Sequence, residues 1–133
     1  MSQSTLPVIS PYDRLGGEAG LRRLVHRFYT LMDTLDEAKG IRDMHPPSLA
    51  GSEEKLFMFL SGWLGGPQLY VEAYGPPMLR RRHLHFPIGS SERDQWMLCM
   101  DRALDEQGLD ETVKTQLREA LMRTADHMRN QPE

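Results

Sequence analysis

Leu79-Arg80-Arg81-Arg82-His83-Leu84-His85-Phe86-Pro87-Ile88-Gly89 breaks the pattern of the chain around it. Three arginines run into a histidine, and an apolar knob and a proline stop follow. Leu79 and His83 stand four apart, so on a helix they face the same way. The segments on either side read as amphipathic helix.

Downstream, Ser91 and Asp94 resemble a capping box with Asp in place of Glu. Trp96, Met97, Met100, Ala103 and Leu104 then make one apolar face, closed by Gly108. Asp110 is placed to cap a last helix whose stripe is Val113, Leu117, Leu121 and Met128. Upstream, Pro76-Pro77 is expected to open the short helix that carries His83, and residues 68–75 make a turn or two. Before that comes a dense face of Leu56, Phe59, Leu60, Trp63 and Leu64, capped by Ser48 or Ser52 and ended by Gly65-Gly66-Pro67. His45-Pro46-Pro47 ends a short segment over residues 36–44, since residues before proline avoid the α region.

The strongest period runs from Glu18. Leu21, Leu24, Val25, Phe28, Met32 and Leu35 fall on one stripe, with Tyr29 beside it. Ser10-Pro11 starts a first short helix that Gly16-Gly17 stops. No segment carries the alternation of a strand. The expectation is an all-α protein with a loose tail over residues 1–9 and a single domain over residues 10–133.

The bulk properties exclude several classes. The net charge is -3 over 133 residues, so no basic field exists to hold nucleic acid or an anionic membrane. The N-terminal residues lack the basic and apolar regions of a signal peptide. Cys99 is the single cysteine, which rules out an intramolecular disulfide and a Cys-rich zinc site. A cytoplasmic protein is expected.

No phosphate loop, nucleophile elbow, dinucleotide turn or HExxH is present. Five histidines remain: His26, His45, His83, His85 and His127. His26 and His127 lie among charged residues and are expected to face solvent. His83 and His85, two apart on a helix, point about 200° from each other and cannot share an ion. What remains is a cofactor that needs one protein ligand, and heme iron is the common case. On the residues alone, the plainer reading of His83 as a polar helix-end residue is favoured. The arginine run is a solvated basic face or, alternatively, a partner for propionates. Tyr29, His45 and Trp96 read first as satisfied boundary residues.

Taken together, these pieces resemble the group II truncated haemoglobins. The resemblance runs from Tyr12 to about Asn130. It rests on Phe28-Tyr29, Phe59-Leu60 with Trp63-Leu64-Gly65-Gly66-Pro67, Leu69-Tyr70, the stretch quoted first, Glu92-Arg93-Asp94-Gln95-Trp96 and Cys99-Met100. It implies a truncated globin fold, a two-over-two helical sandwich around one heme b per chain. His83 matches the proximal iron ligand, Tyr29 the distal tyrosine and Trp96 the distal tryptophan. Ser52 and Leu56 match the distal-helix positions that face the iron. Lys55, Tyr70 and Arg82 match residues that bind propionates, Phe59 lines the distal side and Phe86 the proximal side. In two places the chain departs from the pattern. His45 stands where phenylalanine or tyrosine is usual, and Gly75-Pro76-Pro77 where Gly-His-Pro is usual.

The implied function is binding of dioxygen and other small diatomic or anionic ligands. Donors from Tyr29, Trp96 and His45 would stabilise the ligand and slow its release, which suits reaction better than transport. Nitric oxide dioxygenation or peroxide handling, with a reductase or other electron donor as partner, is the first expectation. Gas storage or sensing without turnover is a second, and a heme-free helical interaction module is a third.

Overall fold

A computed structural model describes residues 9–131, so the expected tail lies outside the described residues except for Ile9. Every regular element among the described residues is helical. In order they are α1 (Pro11–Arg14), α2 (Gly17–Thr34), a 3-10 turn (Asp36–Ala38), α3 (Lys39–Arg42), α4 (Ala50–Trp63), α5 (Leu69–Tyr74), α6 (Leu79–His83), α7 (Ser90–Asp105) and α8 (Glu111–His127). No helix among the described residues is long and apolar enough to cross a membrane.

Four long helices carry the core. α2 packs on α4, α7 packs on α8, and α2 joins the two pairs by lying on α7. The α2 stripe is buried as its period requires, with Leu21, Leu24, Val25, Phe28 and Met32 almost wholly out of water. It meets Phe57 and Leu60 of α4, then Met100, Ala103 and Leu104 of α7. Leu117 and Leu121 of α8 close the other side. Burying a side chain such as Phe28 contributes roughly 1.5–3 kcal/mol, so this joint is the main source of stability. Gly20 lets the end of α1 sit tightly against α2, because a Cβ there would run into the carbonyl oxygen of Leu15.

Local signals set most of the helix ends. Ser10 Oγ accepts from Asp13 N at 3.1 Å, and Asp110 accepts from Thr112 N at 3.1 Å and Val113 N at 3.4 Å. Gly16 and Gly17 both take positive φ, 101° and 68°, which lets α1 turn at once into α2. Other ends differ from expectation. Ser48, not Ser52, supports the start of α4, its Oγ accepting from Ala50 N at 3.3 Å. The α7 start uses Glu92 instead of Asp94: its carboxylate accepts from Gly89 N at 2.7 Å. Pro76-Pro77 does not open α6. Met78 takes a left-handed conformation, φ 47°, and turns the chain before the helix begins.

Candidate functional site

α6 holds five residues and has no side-chain cap. It places His83 on its last turn, half-buried, with Nδ1 2.6 Å from the carbonyl oxygen of Leu79. A carbonyl only accepts, so Nδ1 carries the proton and Nε2 of the neutral ring keeps a free lone pair. Phe86 follows, its ring 6.4 Å from that of His83 and 4.2 Å from that of His85.

Aromatic side chains gather at the joint of α2 and α7. Phe28 is fully buried, with the Tyr29 ring 4.9 Å away on one side and the Trp96 ring 5.0 Å away on another. The His45 ring lies 6.0 Å from Tyr29, edge-on. Burial, and secondarily the charge of Glu53, raises the pKa of the Tyr29 phenol well above its ordinary value, so it remains a neutral donor. His45 Nδ1 lies 2.8 Å from the carbonyl oxygen of Ile41. Its proton is therefore committed to that carbonyl, and Nε2 of the neutral ring is an acceptor. The expectation of His45 as a donor holds only for the imidazolium. Ser52 and Leu56 stand four apart on α4, both half-buried.

A third group lies between α4, α5 and α6. The Arg82 guanidinium stands 5.7 Å over the Tyr70 ring and donates from Nε to the carbonyl of Pro77 at 2.7 Å. Lys55 Nζ lies 5.8 Å over the Tyr74 ring, and Tyr70 touches both Tyr74 (4.9 Å) and Phe59 (6.4 Å). Among the described residues, Arg22, Arg27, Lys39, Arg42, Arg93, Lys114 and Arg118 pair with carboxylates, whereas Arg14, Arg23, Arg102 and Arg123 do not. Among the described residues, no carboxylate pairs with Lys55, Arg80, Arg81 or Arg82.

A cleft of about 730 Å³ opens between α4, α6 and α8, walled by Phe59, Trp63, Leu79 and Met128 with Arg81 and Arg123 at its lining. Of the expected site residues only Phe59 lines it, so it adjoins the α4–α5–α6 group on the α8 side without taking in His83, Lys55, Tyr70 or Arg82. Apolar walls with unmatched cations fit a flat apolar ring system that carries carboxylates. The lone free Nε2 of His83 fits a cofactor taking one protein ligand. Among the described residues no group of three His, Cys, Asp or Glu side chains is placed to hold a bare metal ion.

The structure thus brings Tyr29, His45 and Trp96 into one neighbourhood around Phe28. It sets Lys55, Tyr70 and Arg82 in another, with Phe59 touching Tyr70. His26 and His127 are exposed as expected. Three participants escaped the sequence: Phe28 as the ring between the distal aromatics, Tyr74 beside Lys55, and Asn130, whose side chain reaches the carbonyls of His83 and Phe86. Phe28 has a faint signal in its adjacency to Tyr29, and Tyr74 in standing one helical turn after Tyr70. Asn130 has none.

Comparison with known proteins agrees with this geometry. The model of the bacterial-like globin family matches residues 10–130. A group 2 truncated hemoglobin, YjbI, from Bacillus subtilis (strain 168) is 40% identical over 124 residues, covering 93% of this chain and 91% of its own. The solved group II 2-on-2 hemoglobin of Agrobacterium tumefaciens superposes with a TM-score of 0.92 at 47% identity, over 96% of this chain and 99% of its own. The cold-adapted truncated hemoglobin of Pseudoalteromonas haloplanktis TAC125 superposes at 0.90 with 46% identity, over 92% and 99%. The chain is a two-over-two heme globin that binds small gaseous ligands such as oxygen, and it belongs to the bacterial-like globin family, among the group II truncated haemoglobins.

Proposed function

We propose that His83 is the proximal ligand of one heme b per chain and that the protein performs redox chemistry on dioxygen or a related small ligand. The observation that carries this reading is the His83 tautomer: with Nδ1–H held by the Leu79 carbonyl at 2.6 Å, Nε2 is the only ring nitrogen free to bind a metal. Heme, when bound, would supply an iron able to bind and activate dioxygen, and His83 would hold it. Lys55, Arg82 and the Tyr70 hydroxyl hold the propionates. Phe86 on the proximal side, and Ser52, Leu56 and Phe59 on the distal side, exclude water.

Tyr29 and Trp96 act on the ligand side. Each has a proton to give, the phenol O–H and the indole N–H, and each would donate to a ligand that carries partial negative charge. His45, an acceptor at Nε2, would compete with the ligand for the Tyr29 phenol proton or, in the absence of a gas ligand, would offer Nε2 to the iron. Two donors slow release and favour reaction over carriage. Nitric oxide dioxygenation and peroxide reduction are the reactions proposed, and both need electrons from a reductase.

The test is spectroscopic and kinetic. The heme-loaded protein should show a histidine-ligated ferrous iron that His83→Ala abolishes. The oxygenated form should consume nitric oxide faster than free heme does. Loss of oxygen on mixing with nitric oxide at no more than the free-heme rate would leave storage or sensing as the function. Unchanged iron coordination in His83→Ala would overturn the ligand assignment.

A further inference from the structure

The helix that carries His83 has little of its own to hold it in place. α6 is five residues long, begins from a left-handed Met78, and ends in a loop with few buried apolar anchors. Its position is imposed from outside, by the end of α8. At one side of α6, Arg80 Nη1 donates to the carbonyls of His127 at 2.8 Å and Arg129 at 2.6 Å. Those are carbonyls left unpaired at a helix C-terminus, where a cation is favoured. At the other side, Asn130 Nδ2 donates to the carbonyls of Phe86 at 2.9 Å and His83 at 3.3 Å. Asn130 Oδ1 accepts from Ile88 N at 3.0 Å, and the Asn130 and Gln131 backbone N–H groups both donate to the carbonyl of Ile88. The amide orientation follows from the partners: the oxygen faces an N–H and the nitrogen faces two carbonyls.

α8 is itself fixed to α7. Arg93 donates to Asp126 at 2.7 Å, and Arg129 reaches Asp126 and Ser90. A rigid path therefore runs from α7 through the end of α8 to the backbone of residue 83. The His83 ring follows that backbone, because Nδ1 is tied to the Leu79 carbonyl of the same helix.

We infer that Asn130, assisted by Arg80, is a positioning residue that sets where Nε2 of His83 stands relative to the iron. This rests on His83 being the iron ligand. Asn130 touches neither cofactor nor ligand and acts only through His83. Asn130→Asp is the sharpest probe, since it keeps the acceptor for Ile88 N–H and deletes both donors to the His83 and Phe86 carbonyls. Arg80→Gln removes the other anchor.

The experiment reads the iron–histidine stretching band of the ferrous protein and the rate of heme transfer to excess heme-scavenging apoprotein. Asn130→Asp should shift and broaden the band and speed heme loss by roughly tenfold or more, since it deletes two hydrogen bonds and turns a carboxylate toward two carbonyl oxygens. Arg80→Gln should move both in the same direction. A second background separates positioning from general loosening. In His83→Gly rescued with free imidazole, the ligand no longer follows the backbone, so Asn130→Asp should leave the iron–imidazole band where it is. A band and heme-loss rate within twofold of wild type in both single variants would overturn the inference. So would a shift of equal size in the imidazole-rescued background. If His83→Gly keeps the original band without imidazole, the ligand assignment itself fails, and this inference with it.

Discussion

His45 and His83 are held in the same way: each directs Nδ1 to the carbonyl four residues earlier, at 2.8 Å and 2.6 Å, and each leaves Nε2 free. One stands beside Tyr29, 6.0 Å between rings, and the other ends α6. The likeness gives the two sides of the proposed heme site a lone pair each.

The first prediction concerns that second lone pair. His45→Phe should remove the acceptor that competes for the Tyr29 proton and lower the oxygen dissociation rate by about two- to fivefold, whereas Tyr29→Phe should raise it by roughly tenfold to a hundredfold through loss of a donor in a dry site. Combining the two should add little to Tyr29→Phe alone, because His45 acts through the phenol. Stopped-flow displacement of oxygen by carbon monoxide measures this. Fully additive effects would show that His45 reaches the ligand independently. A six-coordinate low-spin spectrum in the unliganded wild type, absent from His45→Phe, would assign His45 to iron.

Propionate binding is tested through Lys55 and Arg82. Replacing either by Ala should speed heme loss by about fivefold to tenfold, in line with one charge-assisted hydrogen bond. The effect should shrink in high salt, since both side chains are exposed. Tyr70→Phe keeps the ring under Arg82 and should cost less than Tyr70→Ala. Equal heme-loss rates across the series at low salt would remove these residues from the site.

Acid should loosen the α7–α8 anchor in a predictable window. The Arg93 guanidinium, and then Arg129, hold the Asp126 carboxyl below the usual carboxylate range. The folded value lies below the unfolded one, so the stabilisation is complete above the ordinary aspartate pKa of about 3.9 and disappears as pH falls through the depressed value. Hydrogen-exchange protection of residues 127–131, relative to the intrinsic rate at each pH, should therefore fall more steeply below pH 4 than that of the α2 core. Asp126→Asn should abolish the difference. The same steepness in both regions would argue against a local anchor.

Cys99 should be chemically silent. Its side chain is fully buried, and burial pushes the thiol up to about 11. Thiol reagents at pH 8 should label it only at the rate of global unfolding. Rapid labelling of the native protein would show that α7 opens locally.

The long helices were legible because a 3.6-residue stripe needs only its own sequence: Leu21 to Met32 are buried as their spacing requires. Glycine and Asp or Ser caps were equally local, as at Gly16, Ser10 and Asp110. His83 stands out through the break at residues 79–89, and the structure adds the direction of its ring, while its role as iron ligand remains the proposal. What failed to show was anything decided by a distant partner. The direction of the His45 proton depends on where the Ile41 carbonyl points. The start of α6 depends on a turn taken by Met78, which no propensity favours. Asn130 bonds to a carbonyl 47 positions away, and nothing near either residue announces it.

The unmatched cations on and beside α6 carry one more implication. Without its cofactor the protein keeps Lys55 and Arg80, Arg81 and Arg82 with no carboxylate among the described residues to answer them. A dianionic porphyrin bound beside them would supply the missing negative charge. Heme binding and folding are then linked by mass action. The melting temperature of the apoprotein should rise with ionic strength, that of the holoprotein should respond less, and a porphyrin whose propionates are esterified should stabilise the chain less than free heme does.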